Sequence, residues 1–115
     1  MIFYIISVII ITHWIGDFIL QSDWMAKNKS TNNVALLNHV SVYGFALLFM
    51  GLLIPITITW VIFNVITHFC TDFVTSRITK KLWEKKDVHN FFVVIGLDQT
   101  IHYLTLIWSY WYFVL

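Results

Sequence analysis

Four long apolar stretches, each close to the length that crosses a lipid bilayer, constrain this chain more than any other feature. A helix of about 20 apolar residues spans the bilayer core. Lipid offers no partners for backbone N–H and C=O groups, so each stretch is predicted to be helical. We expect an all-α membrane protein that forms one transmembrane domain over residues 1–115. Its four-helix bundle is predicted to have helices at about 2–20, 34–53, 56–79 and 89–113.

The composition supports a membrane environment. The chain has 115 residues, of which 59% are hydrophobic and only 11% are charged, whereas soluble proteins average about 25% charged residues. A soluble domain this short could not bury so much apolar surface. The first stretch lacks both the basic segment and the small-residue cleavage site of a signal peptide, so we expect it to remain as a membrane helix.

The basic residues predict an orientation. The positive-inside rule places loops rich in lysine and arginine in the cytoplasm, so both termini are predicted outside, in a multi-pass protein of the bacterial inner membrane. The bilayer is the expected partner, and the second basic group could attract an anionic lipid or another amphiphile. No nucleic-acid-binding pattern is present. The basic residues form two groups: Lys27 and Lys29, then Arg77, Lys80, Lys81, Lys85 and Lys86.

A short internal similarity relates the first and third helices. The string HWIGDF, from His13 to Phe18, resembles HFCTDF, from His68 to Phe73. Two repeated helical hairpins related by an axis along the membrane normal would explain this similarity. With so few matched positions, coincidence is an equal alternative.

Ionisable residues within the apolar stretches are the main functional signal. A charged side chain at the bilayer centre costs about 2.5–3.5 kcal/mol on insertion scales, so such residues usually have a role. Residues four apart share a helix face. Three His/Asp pairs have this spacing: His13 with Asp17, His68 with Asp72, and Asp98 with His102.

The order within these pairs predicts that they meet at one depth. The fourth helix runs opposite to the first and third, and it also carries its pair in reverse order. We therefore expect an aspartate layer near the basic loops and a histidine layer one turn deeper, about 6 Å away. The second helix adds His39 and Tyr43 near these two layers.

Imidazoles and carboxylates without a thiolate are typical ligands of zinc, manganese or iron. The one cysteine, Cys70, forms no CxxC motif. We predict a divalent transition metal, either one ion or two bridged ions, with the three aspartates also catalytic. Alternatively, the pairs serve only as hydrogen bonds between helices. The predicted ligands are His13, Asp17, His68, Asp72, Asp98 and His102, and His39, Tyr43, Asn64, Gln21 and Gln99 are additional candidates that would orient ligands or contact substrate.

Longer strings around these residues carry a family resemblance. The segments HWIGDFILQSDWMA, LLNHVSVYG, NVITHFCTDFVTSRITKK and GLDQTIHYL resemble a family of small phage and bacterial integral membrane proteins known only as a domain of unknown function, of the DUF3307 type. The resemblance extends from His13 to about Tyr103 and implies no established activity. A looser similarity connects the chain with membrane-bound metal-dependent hydrolases, although it lacks their Asp-His-Arg and Thr-His-Ser strings.

Three functions are consistent with these features. The first is a membrane-embedded metal-dependent hydrolase that acts on a lipid or amphiphilic substrate from the cytoplasmic leaflet. The second is a proton- or cation-conducting or transport protein. Four helices are few for alternating access, so transport would require a homo-oligomer. The third is a non-catalytic phage membrane factor for exclusion, lysis control or host interaction.

Overall fold

The computed structural model describes residues 1–115 and contains helices without strands. The elements are α1 (Ile2–Trp14), which continues into a π-helical turn (Ile15–Ile19), then α2 (Asp23–Asn28), α3 (Asn33–Met50), α4 (Ile58–Glu84) and α5 (Val88–Phe113). Four of these units are long and apolar enough to cross a membrane: α1 with its π turn, α3, α4 and α5. The predicted all-α four-helix membrane protein is therefore confirmed.

Two connections at the basic end differ from simple loops. The short helix α2 follows α1, with the Ser22 side chain accepting a hydrogen bond from the backbone N–H of Met25. Helix α4 continues to Glu84, beyond the predicted span, and an ion pair between Lys80 and Glu84 joins its last two turns. The end of the bundle formed by these connections is called the basic-loop end below.

Helix α5 begins with an aspartate cap. The carboxylate of Asp87 accepts hydrogen bonds from the backbone and the side chain of Asn90, at 3.2 Å and 2.8 Å. These bonds favour the ionised carboxylate and lower the pKa of Asp87 below its ordinary value. A tight connection thus turns the chain from α4 into α5.

The opposite end of the bundle, which carries the chain termini, has an apolar core. Two polar side chains in this region are paired: the indole N–H of Trp60 donates to the Leu106 carbonyl at 3.3 Å, and the Asn64 amide donates to the Ser109 hydroxyl at 2.9 Å. This core separates the polar interior from the terminal end. Its residues are Ile5, Val8, Ile9, Tyr43, Leu47, Met50, Ile54, Trp60, Val61, Leu106 and Tyr110.

The π-helical turn brings the end of the first helix close to α3. The backbone N–H of Leu20 donates to the carbonyl of Ile15 at 2.9 Å, five residues back. Gly16 lies in this turn, where a Cβ atom would stand 3.0 Å from the Ala46 methyl carbon and 3.2 Å from the Tyr43 ring. The absence of a side chain at Gly16 therefore allows the close approach that seats Asp17 in the interior.

Replacing Gly16 by alanine is expected to destabilise the protein, because the Ala46 methyl is fixed to its helix backbone and cannot move aside by rotation. We expect Gly16→Ala to lower the free energy of unfolding by about 1–3 kcal/mol. The measurement is unfolding in mixed detergent micelles titrated with sodium dodecyl sulfate.

Gly96→Ala is the matched control. A Cβ atom at Gly96 meets nothing within 4 Å, and the residue lies inside α5. Alanine there should leave stability unchanged or raise it by up to about 1 kcal/mol, because alanine favours helix more than glycine. Equal losses in both variants would contradict the packing role of Gly16.

Candidate metal centre

Histidine and aspartate side chains from all four membrane-spanning units meet in one buried cluster. His13 and Asp17 come from α1 and its π turn, His39 from α3, His68 and Asp72 from α4, and Asp98 and His102 from α5. All are buried except Asp98, whose side chain is 14% exposed. The predicted histidine and aspartate layers are in contact. In each of the three His/Asp pairs, the imidazole lies 3.3–3.5 Å from the carboxylate four residues away.

Four atoms at the centre of this cluster converge on one point. Nε2 of His39 lies 2.9 Å from Oδ1 of Asp17, 3.2 Å from Nε2 of His68 and 3.2 Å from Oδ2 of Asp72. Nε2 of His68 lies 3.3 Å from each of the same two carboxylate oxygens. Five of the six separations among these two nitrogens and two oxygens are thus 2.9–3.3 Å, and we call the four atoms the first ligand group.

The contacts within the first ligand group are short. Oδ1 of Asp17 is buried, and the Nε2 atoms of His39 and His68 lie 2.9 Å and 3.3 Å from it. These two Nε2 atoms also lie 3.2 Å from each other, so only one hydrogen fits between them and at least one of the nitrogens has a lone pair there. Two imidazole nitrogens beside two carboxylate oxygens form a donor set that can bind a cation.

A second ligand group lies beside the first and shares residues with it. One ligand atom each from Asp17, Asp98 and His102 lies within 4.8 Å of the others. Nε2 of His102 is 3.3 Å from Oδ2 of Asp98 and 3.1 Å from Oδ1 of Asp72. Since Oδ2 of Asp72 belongs to the first ligand group, the Asp72 carboxylate faces both groups, and Asp17 belongs to both.

Aromatic packing holds the His68 ring in place. It is stacked on the His102 ring, with centroids 4.1 Å apart and planes 12° apart, and the Tyr43 ring lies 4.1 Å away on a 30° tilt. Nδ1 of His68 and Nδ1 of His39 have no hydrogen-bond partner. The orientation of His68 is thus fixed by its flanking rings and not by the hydrogen bond that usually orients a ligating histidine.

His13 has a different role from the other cluster histidines. The Gln99 amide N–H donates to Asp17 at 3.2 Å and to Asp98 at 3.1 Å, so its carbonyl oxygen faces Nε2 of His13 at 2.9 Å. That nitrogen must therefore carry the proton, and Nδ1 accepts from the Tyr43 hydroxyl at 3.2 Å. Both ring nitrogens of His13 are engaged, so it positions Gln99 instead of joining either ligand group.

The structure brings together most of the residues predicted from the sequence. Asp17, His68, Asp72, Asp98 and His102 belong to the ligand groups, together with His39, which was only an additional candidate. Tyr43 and Gln99 orient His13, and Gln21 lines the cavity beside the cluster. Asn64 lies apart, bonded to Ser109 and to the carbonyl of Trp60. The catalytic and ligand assignments themselves stay predictions.

Two residues near the site were not predicted. Nζ of Lys29 lies 3.4 Å from Oδ2 of Asp72, and the Thr75 hydroxyl donates to Oδ1 of Asp98 at 2.5 Å. Thr75 follows Asp72 by three residues and so shares its helix face, a signal that the sequence contained. Lys29 approaches only because α2 folds back toward the bundle, which no pattern in the sequence indicates.

A cavity of about 110 Å³ lies against the cluster on the side of the basic-loop end. Nine of its eleven lining residues have polar or charged side chains, and it reaches the carboxylates of both ligand groups. The lining residues are Asp17, Phe18, Gln21, Lys29, Asp72, Thr75, Ser76, Thr79, Ile95, Asp98 and Gln99.

Comparison with known proteins identifies a family for the chain. Residues 5–115 match the family described as "Protein of unknown function (DUF3307)", and the chain belongs to that family. No curated protein matches the chain, and no solved structure matches it either. The family resemblance seen in the sequence is confirmed, whereas the similarity to membrane-bound metal-dependent hydrolases has no support from a relative.

The role of Gln99 can be tested with Gln99→Leu, which keeps the side-chain size but removes every hydrogen bond. We expect the free energy of unfolding to fall by about 1–3 kcal/mol, because His13, Asp17 and Asp98 each lose a partner. The control is Thr100→Val, since the exposed Thr100 hydroxyl bonds only to a carbonyl of its own helix. If both variants are as stable as the unmodified protein in a detergent-unfolding titration, the hydrogen-bonded chain through Gln99 is not structural.

Proposed function

We propose that this member of the DUF3307 family is a membrane-embedded metal-dependent hydrolase. Its substrate is a lipid or another amphiphile that reaches the site from the basic-loop end, which faces the cytoplasm. One observation carries the proposal: two imidazole nitrogens and two carboxylate oxygens, from His39, His68, Asp17 and Asp72, lie within 4.8 Å of one another in the buried interior.

The spacing of the ligand atoms supports a small divalent transition metal. Tetrahedral zinc has bonds of about 2.0–2.1 Å to nitrogen and oxygen, which place neighbouring ligand atoms about 3.3 Å apart. In the first ligand group, the nitrogen-to-nitrogen and the four nitrogen-to-oxygen separations are 2.9–3.3 Å. A donor set of imidazole and carboxylate suits zinc, manganese or iron, and no thiolate is near.

The shared carboxylates favour two ions over one. Asp17 belongs to both ligand groups, and the two oxygens of Asp72 face different groups. In two-metal hydrolases the ions lie about 3.5–4 Å apart and are bridged by groups of this kind. We therefore propose one ion on His39 and His68 and another on Asp98 and His102, with Asp17 and Asp72 between them.

Divalent ions at these positions would polarise a substrate oxygen and make water acidic enough to attack near neutral pH. The chain's own residues would supply the geometry and the proton transfer. Asp98 is the most exposed carboxylate of the cluster and lines the cavity, where it can take a proton from water. Thr75 and Gln99 donate to Asp98 and hold it in that position.

Access to the site favours hydrolysis over conduction. The cavity beside the cluster opens toward the basic-loop end, while the apolar core fills the bundle toward the termini. A proton or cation path across the membrane would need polar groups through that core. The alternative of a non-catalytic phage factor, with the cluster serving only to join helices, predicts no bound metal, so the metal content of the protein distinguishes the two.

Metal content is the direct test of this proposal. Protein purified in detergent from metal-replete cells is expected to contain about two transition-metal ions per chain, measured by inductively coupled plasma mass spectrometry. His68→Ala and His102→Ala should each retain at most about one ion, because each removes a ligand from one group. Each variant is compared at matched elution volume and helical circular dichroism.

A control variant separates ligand loss from general damage. His89→Ala removes an exposed histidine at the start of α5, away from the cluster, and should keep the full metal content. The absence of bound metal from folded, metal-replete protein would overturn the proposal, as would equal loss of metal in His89→Ala and His68→Ala.

A further inference from the structure

A larger groove continues outward from the cavity beside the cluster. It has a volume of about 660 Å³ and runs from the π turn and α2 to the facing surfaces of α4 and α5. Its walls are part polar and part apolar. The groove and the cavity share Phe18, Gln21, Lys29, Ser76, Thr79 and Ile95, and the groove adds Ala26, Lys27, Ser30, Lys80, Trp83, Phe91 and Phe92.

The shared section contains polar atoms without partners. The Ser76 hydroxyl and Oε1 of Gln21 are buried and form no hydrogen bond, although both residues line the cavity and the groove. Lys29 also lines both the cavity and the groove, and its ammonium lies 3.4 Å from Oδ2 of Asp72. A hydroxyl and an ammonium at the junction are two donors available to an oxygen-rich ligand.

The net charge of the site indicates what kind of ligand it would bind. Asp17, Asp72 and Asp98 contribute three negative charges, Lys29 contributes one positive charge, and two divalent ions contribute four. The sum is two positive charges in a region of low dielectric constant, which a dianion would neutralise. A carboxylic ester or an amide is neutral and would leave this charge uncompensated, and a phosphate diester would balance only half of it.

We infer that the substrate is a phosphate monoester of a lipid alcohol; this inference rests on the proposed two-metal hydrolase. The phosphate lies in the small cavity against the two ligand groups, where Lys29 and Ser76 donate to its oxygens. The lipid chain follows the groove along Phe18, Ile95 and Phe92. Phe92 and Trp83 are largely exposed at the groove's margin, so the chain can remain in contact with the bilayer.

The reaction is a hydrolysis without any redox step. The oxygen of water bonds to phosphorus, and the bond from phosphorus to the lipid oxygen breaks. One proton of the water ends on the leaving oxygen, giving a neutral lipid alcohol, and the other remains on the released hydrogen phosphate. In the cavity, Lys29 and Ser76 hold the phosphate but accept no proton in this step.

The test is lipid cleavage by metal-containing protein in mixed micelles of a non-ionic detergent, with released inorganic phosphate measured by colorimetry and the lipid and fatty-acid products measured by mass spectrometry. Three lipids are compared: phosphatidic acid as monoester, phosphatidylglycerol as diester, and diacylglycerol as a carboxylic ester without phosphate. We expect phosphate from phosphatidic acid alone, with loss of the activity on chelation. Lys29→Gln should lower kcat/KM at least about tenfold, because it removes a charged hydrogen-bond donor, and Ser76→Ala should lower it less.

Lys81→Gln is the matched control, since Lys81 has the same charge but does not line the groove. Its kcat/KM should stay within about twofold of the unmodified value, and metal content should be unchanged in all three variants. Bound metal with cleavage of the diester or the carboxylic ester alone, or with no cleavage of any lipid, would overturn the monoester inference and leave the metal centre standing. Absence of metal would overturn both.

Discussion

The interior of this bundle depends on how the negative charges of three carboxylates are compensated inside the protein. Asp17 and Asp72 are almost fully buried, and Asp98 is close to them. Buried unpaired charge is among the most destabilising features that a fold can contain. Within the chain, the Lys29 ammonium lies 3.4 Å from Asp72, and the cluster imidazoles lie within 3.5 Å of the carboxylates. Cations held between the carboxylates would compensate their charge.

The helices are arranged so that these carboxylates converge. Gly16 allows the π turn to lie against α3, and the turn directs Asp17 toward His39 on that helix. The hydrogen-bonded chain from Tyr43 through His13 to Gln99 then fixes Asp17 from the other side. The apolar core at the terminal end keeps these polar groups at one level of the bundle.

Much of this arrangement could be predicted from the sequence. The four spans follow from hydropathy, because a helix that must lie in lipid needs about 20 apolar residues. The three His/Asp pairs follow from the period of the α-helix, and reversal of the pair in α5 follows from its antiparallel direction. The ligand groups therefore contain five of the six residues predicted as ligands, Asp17, His68, Asp72, Asp98 and His102.

The remaining details depend on contacts between helices that spacing does not determine. His39 has no acidic partner on its own helix, so spacing alone did not predict its central position. The structure places its Nε2 atom 3.2 Å from Asp72 of α4. His13 has the same spacing from an aspartate as His68, yet Gln99 and Tyr43 engage both of its nitrogens. Lys29 reaches the site through the fold of α2. These three residues show that a shared helix face predicts which side chains lie close together. Which of them can bind a metal depends on where their individual nitrogen and oxygen atoms point.

The central claim is that imidazole nitrogens and carboxylate oxygens bind a pair of divalent ions within the membrane. Zinc K-edge X-ray absorption on the purified, zinc-containing protein measures this environment most directly. The account predicts a nitrogen and oxygen shell at about 2.0–2.1 Å with imidazole scattering, and a second zinc at about 3.5–4 Å. A spectrum of hydrated zinc without imidazole scattering, or a sulfur shell at about 2.3 Å, would contradict it.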